Sequence, residues 1–413
     1  MAVKNRVLDR LVKYVRFDTQ SSETSSTFPS TEKQKILAKE LVSELIDMGL
    51  KDAAMDEWGY VTATLPANVD EKVPVIGLIA HLDTSPDVSG KDVKPMVHEN
   101  YQGGDIRLSP ESGVVILADE NPQLAKQIGH DIVTSDGTTL LGADNKAGIA
   151  EIFGALDYFL ENPDVPHGTI KVAVMPDEEI GMGSDKFDIE KYGADYAYTI
   201  DGETVGEIEN ETFCADSVTL TVLGVNVHPG YAKNKLVNSV KIISEIISRL
   251  PADKMSPETT EKREGYVHPI SFNGDVEKSV AKFLIRDFTV DGLHEKEEYL
   301  KKLTETVIAK SPKASFEFKV DEYYRNMGYQ LDKDRKVVDY ALEATKRAGL
   351  EPVLGFIRGG TDGAQLSFKG LLTPNVFTGG HNFHSRQEWV SLQDMLKTVD
   401  TIVELVKVWY EKK

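Results

Sequence analysis

Three apolar runs, VIGLIAHLDT (75–84), TIKVAVMPDEE (169–179) and DYAYTIDG (195–202), each lead into acidic residues. They read as strands, as do GYVTATLP and the run around 353, and segments with helical spacing lie between them. The helical segments are residues 1–20, TEKQKILAKELVSELIDMG (31–49), the stretch after LLGADNKAG (140–148), RKVVDYALEATKRAG and LQDMLKTVDTIVELVKVWYEKK. TLLG (139–142) is expected as a short strand before its helix, SSETSSTFPS (21–30) as a polar loop, and 85–130 as an irregular excursion rich in Gly, Pro and Asp. Strands alternating with helices define an α/β architecture with a mostly parallel sheet. From about 208 the pattern changes to long strands and two helices, NKLVNSVKIISEIISRLP and HEKEEYLKKLTETVIAKS. The expected organisation is one domain over 1–208 and 325–413, with a two-layer α+β block inserted at 209–324.

Composition narrows the function. The 413 residues are 40% hydrophobic, enough for two cored domains. A formal charge of -20 leaves no basic surface to neutralise phosphates, so no nucleic-acid partner is expected. The single cysteine, Cys214, excludes an internal disulfide and a cysteine-based zinc finger. MAVKNRVLDRLVKYV lacks the apolar core of a signal peptide, and no run approaches the ~18 apolar residues of a membrane span. A soluble, cytoplasmic protein is the expectation.

The acids at the strand ends carry the chemistry. Three adjacent carboxylates, Asp177, Glu178 and Glu179, repel one another unless solvated or facing a cation. His81 and Asp83 lie two apart in an extended run and point the same way, either as a paired site or as a core histidine and a turn aspartate. Asp144 precedes a helix as a bridging ligand or as a cap, a role open to Asn145 as well. Asp201 follows a strand, and TGGHNFHSRQEW brings His381 and His384, which spacing alone does not tell apart. Taken together, two histidines and several carboxylates without thiolates suit a pair of Zn²⁺, Co²⁺ or Mn²⁺ ions. On this reading the acidic triplet faces a cation.

The segments HLDTSPDVSGKDVKP, ENYQGGDI, LLGADNKAGIAEI, MPDEEIGMG, YTIDG, NVHPGYAKNKLVNS, IRDF, RGGTDGAQLS and TGGHNFHS resemble, in order and over nearly the whole chain, the M20 family of dinuclear zinc metallopeptidases, in its tripeptide aminopeptidase branch. The resemblance implies two Zn²⁺ per subunit, with Co²⁺ or Mn²⁺ as substitutes. His81 and Asp201 would hold one ion, Glu179 and His384 the other, and Asp144 both. Asp83 would orient His81. Glu178 would be general base and then acid, as a metal-bridging hydroxide attacks the peptide bond. The inserted block resembles the family's lid and homodimer contact. His228 matches a histidine that reaches the partner's active site and stabilises the tetrahedral intermediate, and its alternative reading is a turn histidine before Pro229. Arg286 and Arg358 match substrate-carboxylate contacts, with Asn238, Asn234 and Lys235 as weaker candidates. Many relatives have aspartate where this chain has Asn145.

The implied activity is release of the N-terminal residue from small free peptides, most specifically tripeptides. The same metal cluster serves dipeptidases, carboxypeptidases and aminoacylases of the family, and a non-catalytic peptide-binding protein is the reading from a different class. Asp177 and Asp105 are the acids proposed for the substrate's free amino group.

Overall fold

The computed structural model describes residues 3–412; Met1 and Ala2, at the start of the helix expected over 1–20, and Lys413 lie outside the described residues. The chain forms two compact units. One comprises Met1–Asn210, Gln330–Phe356 and Thr361–Lys413, the other Glu211–Tyr329 and Ile357–Gly360. The strands used below are β1 (Ala54–Met55), β2 (Val61–Leu65), β3 (Ile76–His81), β4 (Ile170–Met175), β5 (Tyr196–Gly202), β6 (Glu207–Thr212), β7 (Cys214–Leu223), β8 (Tyr266–Gly274), β9 (Lys278–Asp287), β10 (Ser315–Tyr324), β11 (Val353–Ile357) and β12 (Asn375–Phe377). The helices are α1 (Val3–Tyr14), α2 (Gln34–Asp47), α3 (Ala143–Glu161), α4 (Ser239–Ser248), α5 (Val290–Ile308), α6 (Lys336–Arg347), α7 (Asp362–Phe368) and α8 (Leu392–Glu411).

The large sheet runs β1–β2–β4–β3–β5–β12–β6–β11. Its four central strands, β4, β3, β5 and β12, are parallel, whereas β2 and β6 join them antiparallel. Every residue of β3 is buried, as a strand covered on both faces requires. Helix α3, flanked by α1 and α8, lies against the sheet. Ile79, Ala173, Met175 and Ala197 pack separately with Tyr60, Phe187, Tyr192 and Leu366. Arg10 on α1 is 8% exposed and ties three helices together. Its Nε donates to Glu44 of α2 at 2.6 Å and a terminal nitrogen donates to Asp157 of α3 at 2.7 Å. Lys13 also reaches Glu44 at 3.2 Å and Arg6 reaches Asp157 at 2.8 Å, so the three helices share a network of charges rather than one pair.

The 85–130 excursion is more ordered than its composition predicts. Met96–His98 joins Ile132–Thr134, Trp389–Ser391 and Gly380–His381 in a second four-stranded sheet, and Ile106–Arg107 pairs with Val115–Ile116. The strand expected at TLLG does not form. The amides of Leu141 and Gly142 instead donate to the Glu388 side chain at 2.7 Å, so a carboxylate takes the place of a neighbouring strand.

The second unit is an antiparallel sheet in the order β8–β9–β7–β10. Val218, Leu220 and Phe283 of the sheet form a core with Ile243 and Ile246 of α4 and Leu293 and Leu300 of α5. Strand β8 is an edge, with Ile270 and Phe272 45% and 43% exposed.

Candidate metal centre

Parallel strands deliver their C-terminal ends to one edge, where open α/β sheets gather ligands. His81 ends β3, Glu178 and Glu179 follow β4, and Asp201 lies near the end of β5. Asp144 sits at the start of α3, ahead of its regular turns. His384 arrives on the loop after Gly380–His381 with a φ of 58°, a left-handed conformation rare outside glycine that re-aims its ring.

Two groups of donor atoms result, His81–Asp144–Asp201 and Asp144–Glu179–His384, each with its atoms within 4.8 Å of one another. Asp144 belongs to both. Its Oδ1 lies 3.0 Å from His81 Nε2 and its Oδ2 lies 3.2 Å from His384 Nε2. Asp201 Oδ1 is 3.4 Å from His81 Nε2, and Glu179 Oε2 is 2.8 Å from His384 Nε2. Glu178 belongs to neither group; its Oε2 is 4.0 Å from His81 Nε2.

The residues behind this layer fix its orientation. His81 Nδ1 is 3.1 Å from the Asp83 carbonyl oxygen and 3.4 Å from its carboxylate. That fully buried carboxylate also accepts the amide hydrogens of Glu178 and Glu179 at 3.1 and 3.2 Å. One aspartate therefore holds both the histidine and the acidic turn. Glu388 accepts the amides of Leu141, Gly142 and Asp144 and so sets the loop that presents Asp144. Asp87 lies 3.3 Å from His384 Nδ1, leaving Nε2 to face the carboxylates. Asn145 has non-helical dihedrals, and its Oδ1 accepts the Gly148 amide at 3.2 Å, the geometry of an N-cap.

The acidic triplet divides. Asp177, at φ 59°, turns away from the donor groups into the protein, where it is 0% exposed. Its carboxylate accepts from the Ser30 amide and hydroxyl at 2.5 Å and from Gln34 Nε2 at 2.6 Å. The expectation that the whole triplet faces a cation is therefore corrected: Glu179 belongs to a donor group, Glu178 stands beside both groups, and Asp177 points away. The same hydrogen bonds occupy Asp177 as a receiver of a substrate amine, and Asp105 accepts the Ala118 amide at 3.0 Å.

Electrostatics favour a cation here. Burial, with Asp144 alongside, pushes the Glu179 carboxyl up to about 8, and burial raises Asp201 to about 6. Burial also carries Glu178 well above its ordinary range, aided by Asp201, Asp362 and Glu179. Asp144 goes the other way: burial opposes its charge, but His384 and His81 hold it below the usual carboxylate range. Glu179 Oε1 is buried with no hydrogen-bond partner, an acceptor left for something other than protein. The nitrogen–oxygen separations of 2.8–3.4 Å come close to the ~3.4 Å edge of a tetrahedron with ~2.1 Å metal bonds. Nitrogen and oxygen donors without sulfur fit Zn²⁺, Co²⁺ or Mn²⁺.

The remaining sequence candidates do other work in this structure. His381 packs on Trp389 with ring centres 4.4 Å apart and the planes tilted by 36°, and burial lowers its pKa to about 4. His228 is exposed and accepts the Gly230 amide through Nδ1 at 3.1 Å. Asn238 caps α4 by accepting the Lys241 amide at 3.2 Å. Arg286 donates to the Ile285 carbonyl and lies over the Tyr324 ring. Arg358 donates to the carbonyls of Thr260, Lys262 and Glu264 and to the Thr260 hydroxyl, above the Phe213 ring. The Asn234 carbonyl accepts from Lys313, and the Lys235 amide donates to the Ala232 carbonyl. Glu388 and Asp87 escaped sequence reasoning although Asp87 lies in the family-like segment HLDTSPDVSGKDVKP and Glu388 in TGGHNFHSRQEW. Their signal was their place beside ligands, which needs the fold.

A covered α/β sheet with a shared carboxylate between two donor groups defines a dinuclear metal-binding class. Residues 134–408 match the model described as Peptidase family M20/M25/M40, and the chain belongs to that family. Its relatives include Peptidase T of Clostridium novyi, 48% identical over 98% of this chain and 99% of that protein. Peptidase T of Caldanaerobacter subterraneus is also 48% identical, over 99% of this chain and 100% of that protein. Among solved structures, aminopeptidase PepT from Bacillus cereus has a TM-score of 0.75 at 23% identity, covering 98% of this chain and 99% of that one, a likeness of fold. No helix among the described residues is long and apolar enough to cross a membrane.

Proposed function

We propose that the chain is a metal-dependent aminopeptidase releasing the N-terminal residue from free tripeptides. His81, Asp144 and Asp201 would hold one Zn²⁺, and Asp144, Glu179 and His384 a second. The observation that carries this reading is Asp144, which offers one oxygen to each donor group while Glu178 stands outside both. Bound ions supply positive charge that acidifies water and polarises a carbonyl. The protein supplies the rest. Glu178 takes the proton of the attacking water and returns it to the departing amine, a transfer suited to a carboxyl whose buried surroundings favour its protonated form. Asp83 keeps Glu178 and Glu179 in register by holding both their amides.

The relatives named Peptidase T, at 48% identity, support the tripeptide assignment. The second unit, as a lid, would bring Arg286 to the substrate carboxylate and His228 of one protomer to the partner's tetrahedral intermediate. Arg358 has four protein acceptors and fewer free donors than Arg286. A homodimer through this unit is part of the reading, supported by the exposed Ile270 and Phe272 on edge strand β8. So is a cytoplasmic location, consistent with a single cysteine.

The test is a peptide series on the Zn²⁺- or Co²⁺-loaded protein: a dipeptide, tripeptide and tetrapeptide, and the tripeptide N-acetylated or C-amidated. N-terminal release from the free tripeptide alone, abolished by a chelator, is expected. Release from the C-terminus, or cleavage of the acetylated peptide, would move the chain to a carboxypeptidase or deacylase reading.

A further inference from the structure

Beside the metal centre lies a cavity of about 540 Å³, lined among others by Glu120, Glu203, His381, Phe383, His384 and Trp389. Its volume is within the ~300–1,000 Å³ typical of small-ligand sites. His384 belongs both to this lining and to the Asp144–Glu179–His384 donor group, so the cavity opens directly onto the candidate reaction centre. One part of the lining is apolar, with Phe383 and Pro122 in front of the buried Trp389 ring that packs at a tilt on His381. His381 is neutral at working pH, since burial lowers its pKa to about 4. Glu120 and Glu203 supply negative charge. The lining contains no lysine or arginine, and among the described residues neither glutamate has an ion-pair partner.

Backbone pairing fixes where Glu203 stands. It directly follows Gly202, the last residue of β5, and its carbonyl accepts the Gly379 amide at 2.8 Å, as the Gly202 carbonyl accepts from Thr378 at 2.7 Å. Two residues of chain span at most ~7 Å, which keeps the Glu203 backbone close to Asp201. A free α-amine lies about 2.5 Å from the first peptide carbonyl carbon, so an acid that binds it must stand at the edge of the metal centre.

We infer that this cavity is the subsite for the substrate's first residue, and that Glu203, backed by Glu120, binds its free α-ammonium group while Phe383 and Pro122 receive the side chain. The assignment rests on the aminopeptidase reading and supplies the amine-binding acid that the sequence did not reveal. Glu203 acts here as a specificity residue. A carboxylate accepts charge-assisted hydrogen bonds from an ammonium, at most one neutral N–H from an acetylated amine and none where the amine is absent.

The test uses the metal-loaded protein and two substrates, a free tripeptide and its des-amino analogue, in which hydrogen replaces the N-terminal amine. The wild-type protein is expected to prefer the free tripeptide about 100-fold in kcat/KM. In Glu203→Gln that preference should collapse to within about fivefold, mainly through KM. Glu203→Asp keeps the charge and should keep most of the preference. A ketomethylene tripeptide isostere, which has no peptide bond to cleave, should bind Glu203→Gln correspondingly more weakly by calorimetry. Metal content should be the same in all three proteins. An unchanged preference in Glu203→Gln would overturn the assignment, as would equal loss in Glu203→Asp. Metal loss from Glu203→Gln would also overturn it, making Glu203 part of the metal centre. A wild-type protein that binds metal but cleaves no free tripeptide would instead defeat the aminopeptidase reading itself.

Discussion

Asp177→Asn separates the three adjacent acids most sharply, because it changes one atom in a residue that the local sequence cannot tell from its neighbours. In the structure the Ser30 amide donates to Asp177 Oδ2, while the Ser30 hydroxyl and Gln34 Nε2 share Oδ1. Asparagine can keep Oδ1 and its two donors, and it tolerates the left-handed φ of 59°. Its amide nitrogen would then meet the Ser30 N–H, donor against donor. One charge-assisted hydrogen bond worth about 1.5–3 kcal/mol is lost, and a buried donor is left unpaired at a further ~1–3 kcal/mol. The expected loss of stability is about 3–5 kcal/mol. At roughly 2 °C per kcal/mol for a large domain, the melting temperature should fall by about 6–10 °C. Metal content, measured by elemental analysis, should stay at the wild-type value, and kcat/KM should drop modestly as the Glu178–Glu179 turn shifts. A variant with an unchanged melting temperature but depleted metal would refute the reasoning, by placing Asp177 among the ligands.

Glu178→Gln should lower kcat by about 10²–10⁴-fold with metal content and melting temperature preserved, and retained turnover would remove Glu178 from proton transfer. Metal binding should release about three protons at pH 7, because the metal requires neutral imidazoles and an ionised Glu179, whose carboxyl burial pushes up to about 8. Burial opposes charge on both histidines, yet Asp201 and Asp144 hold His81 protonated well above its ordinary range, and Asp144 and Glu179 push His384 up to about 11. Calorimetry in buffers of different ionisation enthalpy reads that number, metal affinity should fall as pH falls, and a value near zero would contradict the geometry. Glu388→Gln should weaken metal binding about 10–100-fold by loosening the loop at Asp144, and unchanged affinity in a chelator competition would show that the loop holds itself. In the second unit, burial beside Asp216 pushes Glu297 up to about 8. A raised carboxyl pKa makes its contribution fully present below the unfolded value near 4.5, and that contribution declines as pH rises toward 8. Glu297→Gln should therefore flatten the loss of stability between pH 5 and 8.5, and parallel melting curves for the two proteins would count against it.

Much of the fold was legible because period and composition are local. VIGLIAHLDT, TIKVAVMPDEE and DYAYTIDG became β3, β4 and β5, and their acids lie where parallel strands end. The excursion at 85–130 was not legible as sheet, because its strands are two or three residues long and Met96–His98 is held in a sheet that Ile132–Thr134 links to segments around 389 and 380. TLLG read as a strand because it is apolar, and the competing partner was Glu388, 247 residues from Leu141. Asn145 was legible as a possible cap, and its hydrogen bond to Gly148 follows that local rule.

The sequence by itself determined the elements, the supply of histidines and carboxylates at strand ends, and the absence of thiolate chemistry, since each depends on residue type and short-range spacing. Only the tertiary structure decided which carboxylates meet. A side chain's direction at the end of a strand depends on two or three backbone dihedrals, and those are set by contacts far away in the chain. Ser30 and Gln34 turn Asp177 inward, Asp83 holds Glu178 and Glu179, and Glu388 presents Asp144. Adjacent acids of similar chemistry thereby occupy different places, because their hydrogen-bond partners come from segments that meet only when the chain folds.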